Sequence, residues 1–335
     1  MKKQIRVYFT DFWSNLDTNQ NFFTEFLSQK YDVVVDKENP EFVFYSFWGT
    51  NFLNYDCTKI FFSGENLEHN YNSFKNSDWA FSSCYVDSER HYRLPIYFYM
   101  SGDVAQLLKP KPPIEQILKQ KTKFCNFIYS NPSCKKRNDF FHKLSKYKKI
   151  DSAGRYLNNV SFRVGNKIDF LRDYKFTFAF ENSECEGYTT EKIYEPFVAN
   201  SIPIYWGNPL VYKDFNTKSF LNYYDFANED ELIAKIIELD NNDDLYAQYI
   251  SEPAFTNNEL NEFVNPENVL AQFDKIFNSQ IISISDELSS KSAFHKQFYK
   301  FKKILEFKKF RIVLKIKNFR FSKLKMKLQK LQAKS

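Results

Sequence analysis

Apolar positions in the first third of the chain come in short runs separated by polar residues. Ile5 to Phe9, Val33 to Val35, Phe42 to Phe47 and Ile60 to Phe62 are brief and rich in β-branched or aromatic side chains. Such runs predict buried strands. Between the first two, Phe22, Phe23, Phe26 and Leu27 fall at helical spacing and predict a helix over 21–30. Lys109-Pro110-Lys111-Pro112-Pro113 then interrupts the pattern; by composition it is stiff and exposed and reads as a linker. Beyond it, strands are expected at Phe124 to Tyr129, from Ile150 to a turn at Gly154, at Lys175 to Phe180 and at Ile202 to Trp206. Helices are expected over 134–147, 190–199, 229–239 and 269–277. Alternation of strand and helix on both sides of the break predicts two Rossmann-like α/β domains, residues 1–112 and 113–280, facing across a cleft. In open α/β sheets ligands bind beyond the carboxyl ends of the strands, so the residues just after each strand are where chemistry is sought.

Charge changes this picture at one end only. The net charge of +6 hides an asymmetry: residues 291–335 hold 16 Lys and Arg against the single acid Glu306, leaving 31 basic and 40 acidic residues elsewhere. A mildly acidic body gives no reason to expect nucleic-acid binding, whereas the tail seeks an anionic surface. Phe294, Phe298, Phe301 and Leu305, then Phe321, Leu324, Leu328 and Leu331, recur at helical spacing among the basic residues. This is the pattern of a basic amphipathic helix lying in a membrane interface. A short coiled coil or a disordered tail binding nucleic acid nonspecifically are the other readings of residues 281–335. No run of about 18 apolar residues suggests a spanning helix. The start of the chain reads as a strand rather than a signal peptide. Five cysteines without a CxxC pair argue against a disulfide framework or zinc site and fit a reducing cytosol. The 38 Phe and 22 Tyr are consistent with codon bias and are not read as a ligand signature.

The richest segment is FTFAFENSECEGYTTEKIYEPFVANSIPIYWGNP, Phe176 to Pro209. A buried strand ends at Glu181-Asn182, a polar loop follows, and a helix opens at Thr189 or Thr190 with Glu191 and Lys192 in its first turn. The helix start offers unpaired N–H groups and a positive dipole end, and Lys192 adds a charge. Glu191 would be repelled by a diphosphate and makes sense there only as an acceptor for sugar hydroxyls. Read as residue types alone, this pair is more often a helix cap and a solvated lysine.

FENS…GYTTEK…IPIYWG resembles the signature of the α-1,3/1,4-fucosyltransferases, glycosyltransferase family ten, in its bacterial form. The resemblance covers about residues 1–280 and extends to Ser130, Asn131 and Arg137, to Gly154-Arg155 with Asn158-Asn159, to FFSGEN (Phe61 to Asn66) and to HYRLPIYFY (His91 to Tyr99). It implies a GT-B fold, with the acceptor bound by the first domain and GDP-fucose by the second. Arg137 would hold the donor diphosphate, since a guanidinium grips phosphate oxygens bidentately. Ser130, Asn131, Gly154, Glu181, Asn182, Tyr188, Thr190 and Lys192 would complete the donor site, with Glu191 on ribose or fucose hydroxyls. Glu65 would be the base that takes the acceptor's proton in an inverting transfer.

The resemblance implies no cofactor. With no Asp-x-Asp after a strand, a divalent metal is expected as a stimulant at most, and the Asp240 to Asp244 cluster reads as a solvated turn. The acceptor implied is an N-acetyllactosamine-type glycan, on lipopolysaccharide or lipid-linked. The enzyme is then expected in the cytoplasm, held on the inner membrane face by residues 291–335. A transferase using another GDP-sugar, or a catalytically inert nucleotide-binding protein with a membrane tail, remain open alternatives.

Overall fold

The structure, a computed structural model, describes residues 1–66, 77–100 and 102–279, together with 301, 302, 304–306, 308, 309 and 312. The expected amphipathic tail therefore falls largely outside the described residues.

The chain divides into two compact units. The first comprises Met1–Ser82, Val86–Tyr92 and the stretch from Leu270; the second comprises Ser83–Tyr85 and Arg93–Val269. This differs from a break at residue 112. Residues 93–112 belong with the second unit, and the Pro/Lys stretch, exposed at Lys109, Pro110, Pro112 and Pro113, is tethered at Lys111. Lys111 donates its ammonium to the carbonyls of Ile250 (2.7 Å) and Glu252 (2.6 Å). Burial lowers its pKa to about 8, with Glu252 opposing the shift.

The elements run β1 (Gln4–Thr10), α1 (Phe22–Ser28), β2 (Asp32–Val35), β3 (Phe42–Tyr45), β4 (Thr58–Ser63), β5 (Trp79–Ser82), β6 (His91–Arg93), α2 (Ile96–Met100), α3 (Ile114–Gln120), β7 (Lys123–Phe127), α4 (Lys135–Leu144) and β8 (Asp151–Ser152). There follow α5 (Lys167–Arg172), β9 (Tyr174–Phe180), α6 (Glu191–Val198), β10 (Ile202–Trp206), β11 (Leu221–Asn222), α7 (Glu229–Asp240), α8 (Asp243–Ser251) and α9 (Pro266–Phe277).

In the first unit the strands lie in the order β2-β1-β3-β4-β5-β6, with parallel pairing from β2 through β5. Its core is aromatic. Phe23 of α1 meets Phe44 and Phe62 at 5.2 and 5.0 Å between ring centroids, and Phe273 of α9 stacks on Phe81 at 4.6 Å. Helix α1 starts where the sequence can cap it. The Asn21 side chain accepts from the N–H groups of Phe23 and Thr24, and the Thr24 hydroxyl accepts from the N–H of Asn21.

The second unit has the order β11-β10-β9-β7-β8, all pairs parallel. The strands are buried on both faces by helices, which is why they read as apolar runs rather than alternating ones. Helix α4 packs Arg137, Phe140, Phe141 and Leu144 inward, one face at helical spacing. The Asp240 to Asp244 cluster is less solvated than its composition suggests. The Asp240 carboxylate is nearly buried and accepts from the Tyr147 hydroxyl and Lys148, while Asp243 opens α8.

Numbered within each unit, both sheets have the order 2-1-3-4-5, extended by one strand in the first. In the second unit the connections change direction between β7 and β9. Ligands of doubly wound sheets bind at the carboxyl ends of such a pair.

Candidate functional site

Strand β9 ends by delivering Glu181 into the protein, where its carboxylate has no solvent exposure. Burying that charge alone would cost several kcal/mol. Three groups on two residues compensate it. The N–H of Thr190 donates at 2.9 Å, the Thr190 hydroxyl at 2.8 and 2.9 Å to the two oxygens, and Lys192 lies 3.1 Å away. The Thr190 hydroxyl also accepts from the N–H of Lys192 (3.3 Å), as the cap of α6 should, and from the Lys192 ammonium (3.1 Å). Gly207, after β10, faces Glu181 so closely that a Cβ there would sit 2.4 Å from the Glu181 Cγ. The turn after β10 thus needs glycine because the glutamate occupies the space.

The charges in this knot are strongly coupled. Burial raises the pKa of Glu181, and Lys192 only partly offsets it. Burial disfavours charge on Lys192 too, but Glu181 and then Glu191 outweigh it and hold the ammonium above its ordinary value. Glu191, 3.5 Å from Lys192, feels burial in the opposite sense; Lys192 and Lys167 outweigh it and hold the carboxyl below its usual range. The helix start is therefore less open than the sequence suggests. Two of its N–H groups and the Lys192 ammonium already serve the Glu181–Thr190 pair.

A second cation of this region is Arg137. Its side chain, from the buried face of α4, is fully enclosed at the ends of β7 and β9. One guanidinium nitrogen donates to the Asn182 side chain (3.0 Å) and another to the carbonyl of Asn131 (2.5 Å). The Nε has no hydrogen-bond partner among the described residues, and no carboxylate there pairs with the group. The Tyr129 ring lies 3.9 Å beneath it, a cation–π contact. Tyr129 is itself pinned, donating its hydroxyl to the carbonyls of Phe178 and Phe180, both at 3.0 Å.

Of the other expected donor residues, Asn131 and Asn182 touch this guanidinium. Ser130 and Asn131 are exposed just past β7, and the Asn131 side chain turns the loop by accepting from the N–H of Ser133. Gly154 follows β8 and packs on Tyr129; a Cβ would meet the Tyr129 carbonyl oxygen at 2.1 Å. Tyr188 shares the loop of Glu181 and Thr190, but its ring is buried against Ile96 and Cys185. Among the described residues no group of three His, Cys, Asp or Glu is placed to hold a metal ion.

Glu65 belongs to the first unit. It is exposed two residues past β4, where its own N–H donates to the Ser63 hydroxyl at 3.3 Å and its carbonyl accepts from that hydroxyl at 3.2 Å. The change of direction in that sheet lies between β1 and β3. Past β3 stands Trp48, half exposed, and past β1 stands Asp11, whose backbone carbonyl accepts from the N–H of Trp48. Its carboxylate accepts from the N–H groups of Asn51 and Phe52. Tyr129 and Trp48 were both missed in the sequence. Each is an aromatic residue at or just past a strand end, which in a chain so rich in Phe and Tyr does not stand out.

Two doubly wound parallel sheets, with a buried cation at the carboxyl ends of the second, define an α/β protein of the GT-B-like glycosyltransferase kind. The profile described as glycosyltransferase family 10 (fucosyltransferase) C-term matches residues 118–265, and that of the α-(1,3)-fucosyltransferase FucT N-terminal domain matches residues 7–100. The chain belongs to glycosyltransferase family 10, the fucosyltransferases. It is 32% identical over 263 residues to the α-(1,3)-fucosyltransferase FucT of Helicobacter pylori, covering 68% of this chain and 54% of that protein. It is 30% identical over 232 residues to GDP-fucose protein O-fucosyltransferase 3 of Xenopus laevis, covering 61% and 49%. The chain thus spans about half the length of these relatives. A crystal structure of an α1,3-fucosyltransferase superposes with a TM-score of 0.73 at 26% identity, over 84% of this chain and 92% of that one. A second, of α1,3-fucosyltransferase with GDP-fucose, gives 0.71 at 27% identity, over 84% and 93%.

The Glu181–Lys192 coupling makes a pH-dependent prediction. Lys192→Ala removes the main counter-charge of a buried carboxylate and should cost about 3 kcal/mol of unfolding free energy near neutral pH. Its folded-state pKa would then rise further above the unfolded value of about 4.3. A group raised in the folded state takes up its proton preferentially on folding, so stability recovers as pH falls. Denaturant titrations of both proteins at about pH 7.5 and 5.5 should show the gap narrowing on acidification; a gap that widens contradicts the coupling.

Proposed function

We propose that this protein transfers L-fucose from GDP-fucose, with inversion at the anomeric carbon, to a hydroxyl of an N-acetyllactosamine-type glycan, as on lipopolysaccharide or another surface glycan. The observation that carries the reading is Arg137: a buried guanidinium at the switch point of a doubly wound sheet, with no carboxylate partner among the described residues. An uncompensated buried cation is unfavourable until an anion arrives. The departing GDP brings such an anion, and its charge grows as the glycosidic bond breaks. A preorganised cation in a region of low dielectric stabilises that developing charge most. Asn182 and Tyr129 fix the guanidinium beforehand, so little ordering is left for the transition state.

Inverting displacement needs a base on the acceptor side and no protein nucleophile. Glu65 is the residue assigned this task. It is a carboxylate just past a strand end, with its backbone fixed by Ser63 and its side chain exposed. Trp48 supports a glycan acceptor, because an exposed indole gives the C–H faces of a sugar ring a flat apolar surface. The similarity to a relative named α-(1,3)-fucosyltransferase supports the linkage.

The direct test is transfer from GDP-fucose to N-acetyllactosamine, with the anomeric configuration of the product read by NMR. Wild-type protein should yield the inverted product. Glu65→Gln should lower kcat by about 10²–10⁴-fold while leaving GDP-fucose affinity unchanged. Near-normal turnover in that variant removes Glu65 from the mechanism. Transfer to a polypeptide and not to the glycan would keep the donor side and replace the acceptor.

The reading also places the enzyme on the inner face of the cytoplasmic membrane, through the basic residues 291–335. Each basic residue near an anionic bilayer contributes about 1 kcal/mol, so a few engaged at once give reversible binding. A chain ending at residue 290 should no longer sediment with phosphatidylserine vesicles while its GDP affinity persists; unchanged sedimentation excludes the tail as the anchor.

A further inference from the structure

The loop from Glu181 to Thr190 carries Glu181, Asn182, Tyr188 and Thr190 of the expected donor site, and its middle is held by a buried ion pair outside the motif. Arg93, at the end of β6 and 4% exposed, donates from its two terminal nitrogens to the Asp214 carboxylate at 2.7 and 2.8 Å. One of those nitrogens also donates to the carbonyl of Gly187 (2.9 Å), and the Nε to the carbonyl of Ser83 (3.0 Å). The guanidinium lies over the rings of Tyr85 and Phe263, 4.4 and 4.8 Å from their centroids. Asp214, 2% exposed, accepts in turn from the Thr189 hydroxyl at 2.6 Å and from Asn208 at 3.3 Å. Asn208 closes the circuit, accepting from the N–H of Gly187 at 2.8 Å and donating to the Thr189 hydroxyl at 2.9 Å.

Both polar groups of Gly187 and the side chain of Thr189 thus end on this one network. Gly187 sits at φ +82°, a conformation that only glycine adopts readily, and a Cβ there would lie 2.2 Å from the Ser83 carbonyl oxygen. The loop cannot pack this way without the network, and Thr189 is the residue before the one that binds Glu181. We infer that Arg93 and Asp214 are positioning residues for the donor site: they touch neither phosphate nor sugar, and they set the place of residues 187–190 against Glu181 and Lys192. This inference rests on the reading of that site as the GDP-fucose site.

A buried ion pair allows positioning to be separated from stability. Loss of one partner strands the other charge, whereas replacing both by apolar side chains of similar size leaves folding largely intact. The Arg93→Met/Asp214→Leu double variant should therefore melt near the wild-type temperature, yet leave Gly187 and Thr189 without their partners. Its Kd and KM for GDP-fucose should rise about tenfold or more, with the acceptor KM little changed. Thr189→Val, nearly isosteric, gives a milder version of the same donor effect, and Thr189→Ser should restore affinity. These two substitutions decide the matter should the double variant fail to fold. A folded double variant, or Thr189→Val, that binds GDP-fucose as wild type does would overturn the positioning role alone. Failure of wild-type protein to bind GDP-fucose would overturn the donor-site reading and this inference with it.

Discussion

The carboxylate of Glu181 lies at the end of β9 with no access to water, and the architecture around it follows from keeping that charge compensated. Thr190 supplies an N–H and a hydroxyl, which fixes where α6 begins. Lys192 supplies the countercharge, which fixes the rotation of that helix. Gly207 vacates the space the side chain needs, which fixes the turn after β10. A buried ion in a poorly polarisable interior tolerates little displacement of its partners, so the ten residues between β9 and α6 are held in one arrangement.

Against this compensated anion stands a cation that is not. Arg137 of α4 and Lys192 of α6 feel each other's charge, yet among the described residues only Lys192 has a carboxylate partner. The difference gives the site its polarity. Both cations lie at strand ends, where doubly wound folds bind nucleotides. The division of labour differs from that suggested by the motif alone. The lysine serves the architecture, and the arginine, which in KKR looks like one of a solvated triplet, carries the unbalanced charge.

Much of this was legible in the chain. Strand β10 falls at the residues its apolar run marks, and α4, α6, α7 and β9 lie within a few residues of their expected ends. The elements that were missed are mostly short or lack a strong period: β5 and β6 with four and three residues, β11 with two, α2 with five, α5 with six, α3 with seven and α8 with nine. The Pro/Lys stretch read as a linker is exposed at Lys109, Pro110, Pro112 and Pro113; what its composition does not show is that Lys111 meets two carbonyls at the end of α8, a contact made across more than a hundred residues of sequence. The residues expected in the donor site of the second unit were named through the family resemblance, in the stretches 130–137, 154 and 181–192, each after a strand. The pair Arg93–Asp214 could not: Arg93 stands in the HYRLPIYFY run, but 121 residues separate it from Asp214, which has no distinctive context of its own.

The central claim is that Arg137 holds a diphosphate, and comparing GDP with GMP tests it most directly. Arg137→Met is suited to this, because removing a buried charge that has no carboxylate partner among the described residues should not unfold the protein. Calorimetric titration of wild-type protein should show GDP bound about tenfold or more tighter than GMP, and that preference should disappear in Arg137→Met. A folded Arg137→Met protein that binds GDP with wild-type affinity and preference would contradict the account.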